Sequence, residues 1–239
     1  MTDHTENGWS ASAEAWINDM GDQGDKGRGH VLDDPMLDRV QRAAPQNMLD
    51  IGCGEGRFCR KMHPLGIAPT GIDPTPEFIA HAQNCDPEGR YIKAEAEDLP
   101  FADASFDIAV FYLTLIDIPD FRTAIQEATR VLRPGGRILV ANLAGFITAA
   151  RHDGWERAET GSRVHLTGYL KEDVYWTHWR GIRIQNWHRP PRDYMQAFLA
   201  EGLTLTQYDE PASTHPDPKI KARYDDVAYF TLMEWQKPH

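Results

Sequence analysis

Residues 49–57 read LDIGCGEGR, a short apolar run that breaks into glycine at Gly52, Gly54 and Gly56. A strand that runs into closely spaced glycines and then a helix leaves backbone N–H groups and a helix N-terminus unobstructed beside a ligand at the carboxyl edge of a sheet. A purely structural turn is the alternative. The choice between the two rests on what stands around the stretch.

Working outward, Asp73 closes the next apolar run, TGIDP at 70–74, about 20 residues beyond the glycines, where a carboxylate can accept both hydroxyls of a ribose. The other reading of Asp73 is a cap for a helix starting after Pro74 and Thr75. Dinucleotides and S-adenosylmethionine both carry a ribose. Gly52, Gly54 and Gly56 form GxGxG, whereas the dinucleotide fingerprint places its third glycine one position later, so the spacing separates the two ligands only in part.

The surrounding chain alternates strand and helix. Ser10 to Met20 places Ala13, Trp16, Ile17 and Met20 at helical spacing behind a serine cap, GDQGDKGRGH at 21–30 reads as a loop, and Asp33, Asp34 and Pro35 open a second helix over Met36, Leu37 and Val40. Strands are expected at 48–51, 68–72 and 90–94, with helices at 56–63 and 75–84 between them, which implies right-handed crossovers and a parallel sheet. FDIAVFYLTLI at 106–116 is apolar on both faces, as in a central strand. A helix from Asp120 to Leu132 is stopped by Pro134, Gly135 and Gly136, and RILVANL follows. The alternation then lapses until a helix at 190–200 and strands LTLTQY and VAYFTLMEW. In the lapse, Arg151 to Arg192 holds eight Arg or Lys against five Asp or Glu and four of the seven tryptophans, a composition that suits a lid over a ligand as well as an irregular part of the core.

Composition narrows the partners. A chain of 239 residues with 41% hydrophobic content suffices for one α/β domain. A net charge of −11 disfavours nucleic acid and anionic membrane surfaces. Cys53, Cys59 and Cys85 form neither a disulfide framework nor a zinc pattern, so no metal is expected, and reduced thiols point to the cytoplasm. MTDHTENGWS lacks a leader pattern, and no stretch reaches the ~20 apolar residues of a membrane span.

LDIGCGEGR, GIDPTPEFI, AEAEDLPFADASFDIAV and ATRVLRPGGRILVANL stand in this order, and together they resemble the motif series of the class I S-adenosylmethionine-dependent methyltransferases, most closely the branch that includes the ubiquinone and menaquinone biosynthesis enzymes. The resemblance covers about Met48 to Leu143. It implies a Rossmann-like α/β fold, a seven-stranded mostly parallel sheet whose last strand is antiparallel and helices on both faces, to which the chain's own pattern adds an N-terminal helical cap and a lid insertion. It implies S-adenosyl-L-methionine as cofactor and S-adenosyl-L-homocysteine as product. Asp50, Gly52 and Gly54 would approach the methionine part, Asp73 the ribose, and Glu95 and Ala96 the adenine. Glu95 stands where that family more often has Asp. Cys53, Pro74 and Tyr112 complete the expected cofactor wall, and Arg28 is a candidate partner for the cofactor carboxylate. One unit is expected: cap 1–45, cofactor core 46–143, lid and acceptor region 144–189, C-terminal helix and strands 190–239.

Methyl transfer asks the protein to align an acceptor and exclude water, with a general base where the acceptor must lose a proton. Asp117, just past the central strand in YLTLIDIPD, is a candidate base, or else a helix cap. His188 in NWHRPPRDYM is a second candidate, or a structural histidine. Arg189 and Arg192 could clamp an anion, and Tyr169 and Trp179 could wall an aromatic acceptor. The expected partner is therefore a small molecule, anionic or aromatic, with the oligomeric state open. Rival readings are an NAD-dependent oxidoreductase, disfavoured by GxGxG and the lack of a Tyr-x-x-x-Lys pair, a nucleic acid methyltransferase, disfavoured by acidity, and a non-catalytic S-adenosylmethionine-binding protein.

Overall fold

The computed structural model describes residues 7–151, 154–157 and 161–239. Residues 1–6, read above for a leader, and 152–153 and 158–160 in the lid region lie outside the described residues. Along the chain stand α1 (Trp9–Met20), a π-helical turn (Arg28–Leu32), α2 (Asp33–Ala43), β1 (Asn47–Ile51), α3 (Arg57–Arg60), β2 (Ala68–Asp73), α4 (Pro76–Cys85), β3 (Arg90–Lys93), β4 (Phe106–Tyr112), α5 (Phe121–Val131), β5 (Leu132–Leu143), α6 (Gly145–Ala150), β6 (Trp155–Arg157), β7 (Ser162–Val164), β8 (Asp173–Trp179), β9 (Ile182–His188), α7 (Pro191–Ala200), β10 (Thr204–Asp209), α8 (Pro218–Asp225) and β11 (Phe230–Gln236).

Among these residues the strands form a seven-stranded sheet, ordered β10-β11-β5-β4-β1-β2-β3, in which β11 runs antiparallel to both neighbours and the other six share one direction. The central strands are apolar on both faces because both are covered: Leu49, Ala109 and Phe111 pack towards Phe121 and Phe198, while Met48, Ile108 and Val110 pack towards Met36 and Met62. On α5, Phe121, Ala124, Ile125, Ala128 and Val131 recur at helical spacing and are buried, and Asp120 caps the helix by accepting from the Thr123 N–H at 3.1 Å. β1 neighbours both β2 and β4, so the chain reverses its lateral direction there, and the crevice of a doubly wound sheet opens at that point.

Local readings differ in five places. Ser10 does not cap α1; Gly8 precedes the helix, and the Ser12 hydroxyl exchanges hydrogen bonds with the Arg183 backbone of β9. The glycine-rich 21–30 segment is partly helical, since Asp25 accepts from the Arg28 N–H at 2.8 Å, and a Cβ on Gly27 would stand 2.7 Å from the Phe230 ring. That glycine serves close packing. The helix expected at 56–63 is the short α3 followed by a 3₁₀ turn, His63–Leu65, around Pro64. The strand expected at 106–116 ends at Tyr112, because Leu113 turns to φ 61°. After β5, β6 pairs with β7 and β8 with β9 as separate two-stranded antiparallel sheets, where the sequence shows only a lapse.

Candidate active site

The carboxyl ends of β1, β2 and β4 open into a cavity of about 890 Å³, at the upper end of the ~300–1,000 Å³ usual for small-molecule sites. Its floor is the glycine loop, and the three glycines have three different reasons. A Cβ on Gly52 would stand 2.6 Å from Thr114 Cγ2, and one on Gly56 would stand 2.8 Å from the Ala82 Cβ. A Cβ on Gly54, by contrast, would meet nothing within 4 Å among the described residues. Gly54 is thus the glycine that keeps the cavity floor clear. All three have positive φ, at 74°, 54° and 78°, so the loop could not be built cheaply from other residues.

Asp73 clasps this loop. Its carboxylate accepts from the Gly54 N–H at 3.0 Å and the Thr75 N–H at 2.8 Å, one bond to each oxygen. The Thr75 side chain adds a third bond, and a carboxylate's roughly four acceptor directions leave room for a ligand hydroxyl. Burial pushes its pKa up to about 6, against the pull of those two N–H donors. Asp50, buried at the end of β1, is pushed up to about 7, chiefly by burial. Its Oδ2 lies 3.5 Å from the Cys59 thiol, and its Oδ1 is buried with no partner among the described residues. A buried acceptor left unpaired in the fold is a place for a ligand's donor.

The N-terminal elements roof this end. Trp16 of α1 donates its indole N–H to Glu55 inside the glycine loop at 2.8 Å. Arg28 lies 4.9 Å over the Trp16 ring and pairs with Asp25 at 2.6 Å. Tyr112 donates to Asp33 at 2.7 Å, and Asp33 takes both Nη1 and Nη2 of Arg57 at 2.8 and 2.9 Å. Burial works to raise Asp33, but Arg57 outweighs it and holds the carboxyl below the ordinary range. Every residue expected at the cofactor lines this cavity: Arg28, Asp50, Gly52, Cys53, Gly54, Asp73, Pro74, Glu95, Ala96 and Tyr112.

The other end is closed by the β8–β9 hairpin. Tyr175, Thr177 and Trp179 of β8 and Ile184 and Asn186 of β9 face inward and line the cavity. Asp117 lines it from the turn after β4, and its carboxylate accepts from the Asn186 amide at 2.5 Å. Burial drives the Asp117 pKa well up from the ordinary carboxyl value, with the Asn186 bond opposing.

Four expected acceptor-site residues lie elsewhere; among the described residues, the cavity wall does not include them. His188 is buried, with Nε2 3.0 Å from the Tyr169 carbonyl and Nδ1 2.7 Å from the Thr148 hydroxyl. The carbonyl partner requires a proton on Nε2, the Thr148 hydroxyl occupies Nδ1, and neither nitrogen is free for a reacting group. Arg189 is 1% exposed and donates to the carbonyls of Leu115, Ile118 and Pro119 at 2.8 to 2.9 Å and to Glu172 at 2.6 Å. Its fork holds the Asp117 turn, not a ligand. Arg192 is exposed, donating to the Leu170 carbonyl at 3.1 Å, and Tyr169 offers its carbonyl to His188. Trp179 does line the cavity, 6.3 Å edge-on from Trp16.

The basic excess of the lid is likewise not delivered to the cavity. Of that segment only Arg151 and Arg180 line it, paired with Asp173 and with Asp19. Sequence reading missed Glu55, Thr114, Tyr175 and Asn186. Glu55 had a signal, an acid inside the glycine loop itself. The hairpin pair had none, because β8 carries aromatics on both faces.

A family model described as a methyltransferase domain matches residues 49–140. With the strand order and the glycine loop, this match supports the resemblance of the chain's core to the class I S-adenosylmethionine-dependent methyltransferases. The chain is 31% identical over 141 residues to the malonyl-[acyl-carrier protein] O-methyltransferase of Pseudescherichia vulneris, covering 59% of this chain and 55% of that one. It is 41% identical over 112 residues to O-methyltransferase resE of Aspergillus sclerotiorum, covering 44% and 42%. The chain thus spans about half the length of the curated relatives it matches. Its fold is shared with an S-adenosylmethionine dependent methyltransferase from Mesorhizobium loti, at 24% identity and TM-score 0.68 over 84% of this chain and 96% of that one. The site fits S-adenosylmethionine: a floor kept clear at Gly54, a buried acceptor unpaired on Asp50, and acceptor capacity remaining on Asp73.

Proposed function

We propose that the chain transfers a methyl group from S-adenosylmethionine to a small-molecule acceptor held beneath the β8–β9 hairpin. The observation that carries this reading is a single cavity of about 890 Å³ that is lined both by the glycine loop and by Asp117. Asp73 would hold the ribose, Glu95 and Ala96 the adenine, and Asp50, Gly52, Gly54 and Arg28 the methionine part. When bound, the cofactor would supply an activated methyl group to the acceptor. The chain's own work is alignment, exclusion of water by the hairpin and α1, and removal of the acceptor's proton by Asp117 where it has one.

Free Cys53, Cys59 and Cys85 and the acidic surface support a small-molecule role in the cytoplasm, with the chain acting as one catalytic unit. Among the described residues, no helix is long and apolar enough to cross a membrane. The test is a thermal melt with S-adenosylmethionine, S-adenosylhomocysteine, NAD or NADP in turn, since a ligand at 100 times its dissociation constant stabilises a fold by roughly 2.7 kcal/mol. A rise with the first two alone is expected. A rise with NAD alone would move the reading to hydride transfer.

A further inference from the structure

The acceptor end of the cavity has its own polar set. Tyr175 and Asn186 are direct cross-strand partners on the inner face of the hairpin, where opposed side chains stand about 5 Å apart, and Asn186 reaches Asp117. A phenol and an amide therefore share one patch of the hairpin's inner face, and the amide meets a carboxyl there. Around them the wall is apolar and aromatic, with Ile116, Leu143, Ile147, Trp155 and Tyr229. The Arg151 guanidinium lies 5.2 Å from the Tyr175 ring centre, and its charge is matched by Asp173.

The charges decide what this end can hold. Among the described residues, the whole cavity is lined by eight aspartates and glutamates against six arginines and lysines. Four of those cations are already paired with carboxylates: Arg28 with Asp25, Arg57 with Asp33, Arg151 with Asp173 and Arg180 with Asp19. The other two, Lys26 and Arg223, are exposed. A carboxylate or phosphate brought to Asp117 would lose its water and find, among the described residues lining the cavity, no buried cation left unpaired, a cost that a hydroxyl group does not incur.

We infer that Asp117, Asn186 and Tyr175 form an acceptor subsite for an uncharged molecule that presents a hydroxyl group on an apolar ring, and that it selects against anionic acceptors. This rests on the methyl-transfer reading for its purpose, though not for its geometry. The hydroxyl donates to the free oxygen of Asp117 and accepts from Tyr175, while Asn186 holds the other carboxylate oxygen and fixes the direction of the first. When the oxygen is methylated, its proton passes to Asp117 and leaves to solvent with product release.

Three naphthalenes of one shape test this by calorimetric titration: 2-naphthol, 2-naphthoate and 2-methoxynaphthalene, each into protein with and without saturating S-adenosylhomocysteine. 2-Naphthol should bind about tenfold more tightly than the other two, the scale of one lost buried hydrogen bond or one unpaired charge. Asp117→Asn and Tyr175→Phe should each weaken 2-naphthol about fivefold and leave S-adenosylhomocysteine affinity within about twofold. Tyr175→Phe stands alone if the Asp117 variant does not fold. Equal or tighter binding of 2-naphthoate, or unchanged 2-naphthol affinity in the variants, would overturn the subsite. Failure of S-adenosylhomocysteine to bind would instead sink the methyl-transfer reading, and the ordering of probes on the ligand-free protein would still decide the subsite.

Discussion

The side-chain amide of Asn186 donates to the carboxylate of Asp117 at 2.5 Å, joining the middle of the β8–β9 hairpin to the turn at the end of β4 across 69 residues of sequence. This bond makes the orientation of the proposed base a property of the hairpin. Asp117→Ala should lower kcat for a hydroxyl acceptor by roughly 10²–10⁴, the usual share of general-base catalysis, with S-adenosylhomocysteine affinity unchanged. Asn186→Ala keeps the carboxylate but frees it to rotate, so its loss in kcat should be smaller, about tenfold. Single-turnover rates beside cofactor titrations check both. A fall in cofactor affinity as large as the fall in rate would make Asp117 structural.

Arg189 supplies the rest of that linkage. Its guanidinium spans the carbonyls of Leu115, Ile118 and Pro119, and the Trp187 N–H adds a bond to the Ile116 carbonyl at 2.7 Å. Removing a buried fork of this kind leaves several acceptors unpaired. Arg189→Ala should cost about 3–5 kcal/mol, the range for breaking a buried ion pair from one side. Arg189→Lys keeps the charge and one or two donors, and it should fold while losing rate with little change in cofactor affinity. Denaturant melts and a kcat-against-KM split read the two effects separately. Equal kcat in the lysine variant and the parent would show that the Asp117 turn holds itself.

How far the sequence shows this site depends on the span of the contacts. The glycine loop and Asp73 were legible because backbone geometry dictates residue type within a few positions: positive φ asks for glycine, and a strand end beside a ribose asks for an acid. Asp117 was legible as an acid just past a central strand. The hairpin end was not. Arg189 meets Leu115 across 74 residues and His188 meets Thr148 across 40, and nothing local in NWHRPP signals which carbonyls or hydroxyls will consume those side chains. Along β9, His188 shares a face with Asn186 yet lies one pair further, opposite Asp173, where α6 closes over it. The lid's basic excess misled in the same way, because Arg151 and Arg180 have partners on β8 and α1 that only the fold brings near.

The glycines predict opposite outcomes for chemically identical changes. At Gly56 a Cβ would meet Ala82 and Tyr91 at 2.8 and 2.9 Å, so Gly56→Ala should lower stability by about 1–3 kcal/mol through overpacking. At Gly54 there is open space, so Gly54→Ala carries only the strain of φ 54°, about 1 kcal/mol. Its Cβ would instead stand in the cavity floor, and it should weaken S-adenosylhomocysteine strongly while Tm moves little. Melting curves and titrations on the two variants settle the assignment; the reverse pattern would mean that Gly56, not Gly54, faces the ligand.

Asp73 gives the pH dependence its sign. In the ligand-free protein its pKa is pushed up to about 6, chiefly by burial, so below that pH the carboxyl is mostly protonated. Ribose hydroxyls donate best to the ionised form, so binding favours proton loss. S-Adenosylhomocysteine affinity should therefore rise with pH up to about 6, by no more than about tenfold per pH unit from this group, and level off above it. Asp50, pushed up to about 7, would extend the rise if its unpaired oxygen takes the cofactor's ammonium. The same groups act on stability without ligand. A carboxyl whose pKa is higher folded than unfolded binds more protons in the native state, so between about pH 4 and 7 these two should make the free protein less stable as pH rises. Saturating ligand should oppose that trend. Asp73→Asn cannot ionise, and it should flatten the part of the affinity profile below pH 6. Titrations from pH 5 to 8 on the parent and this variant are the check, and a parent profile flat across that range would remove Asp73 from the ribose.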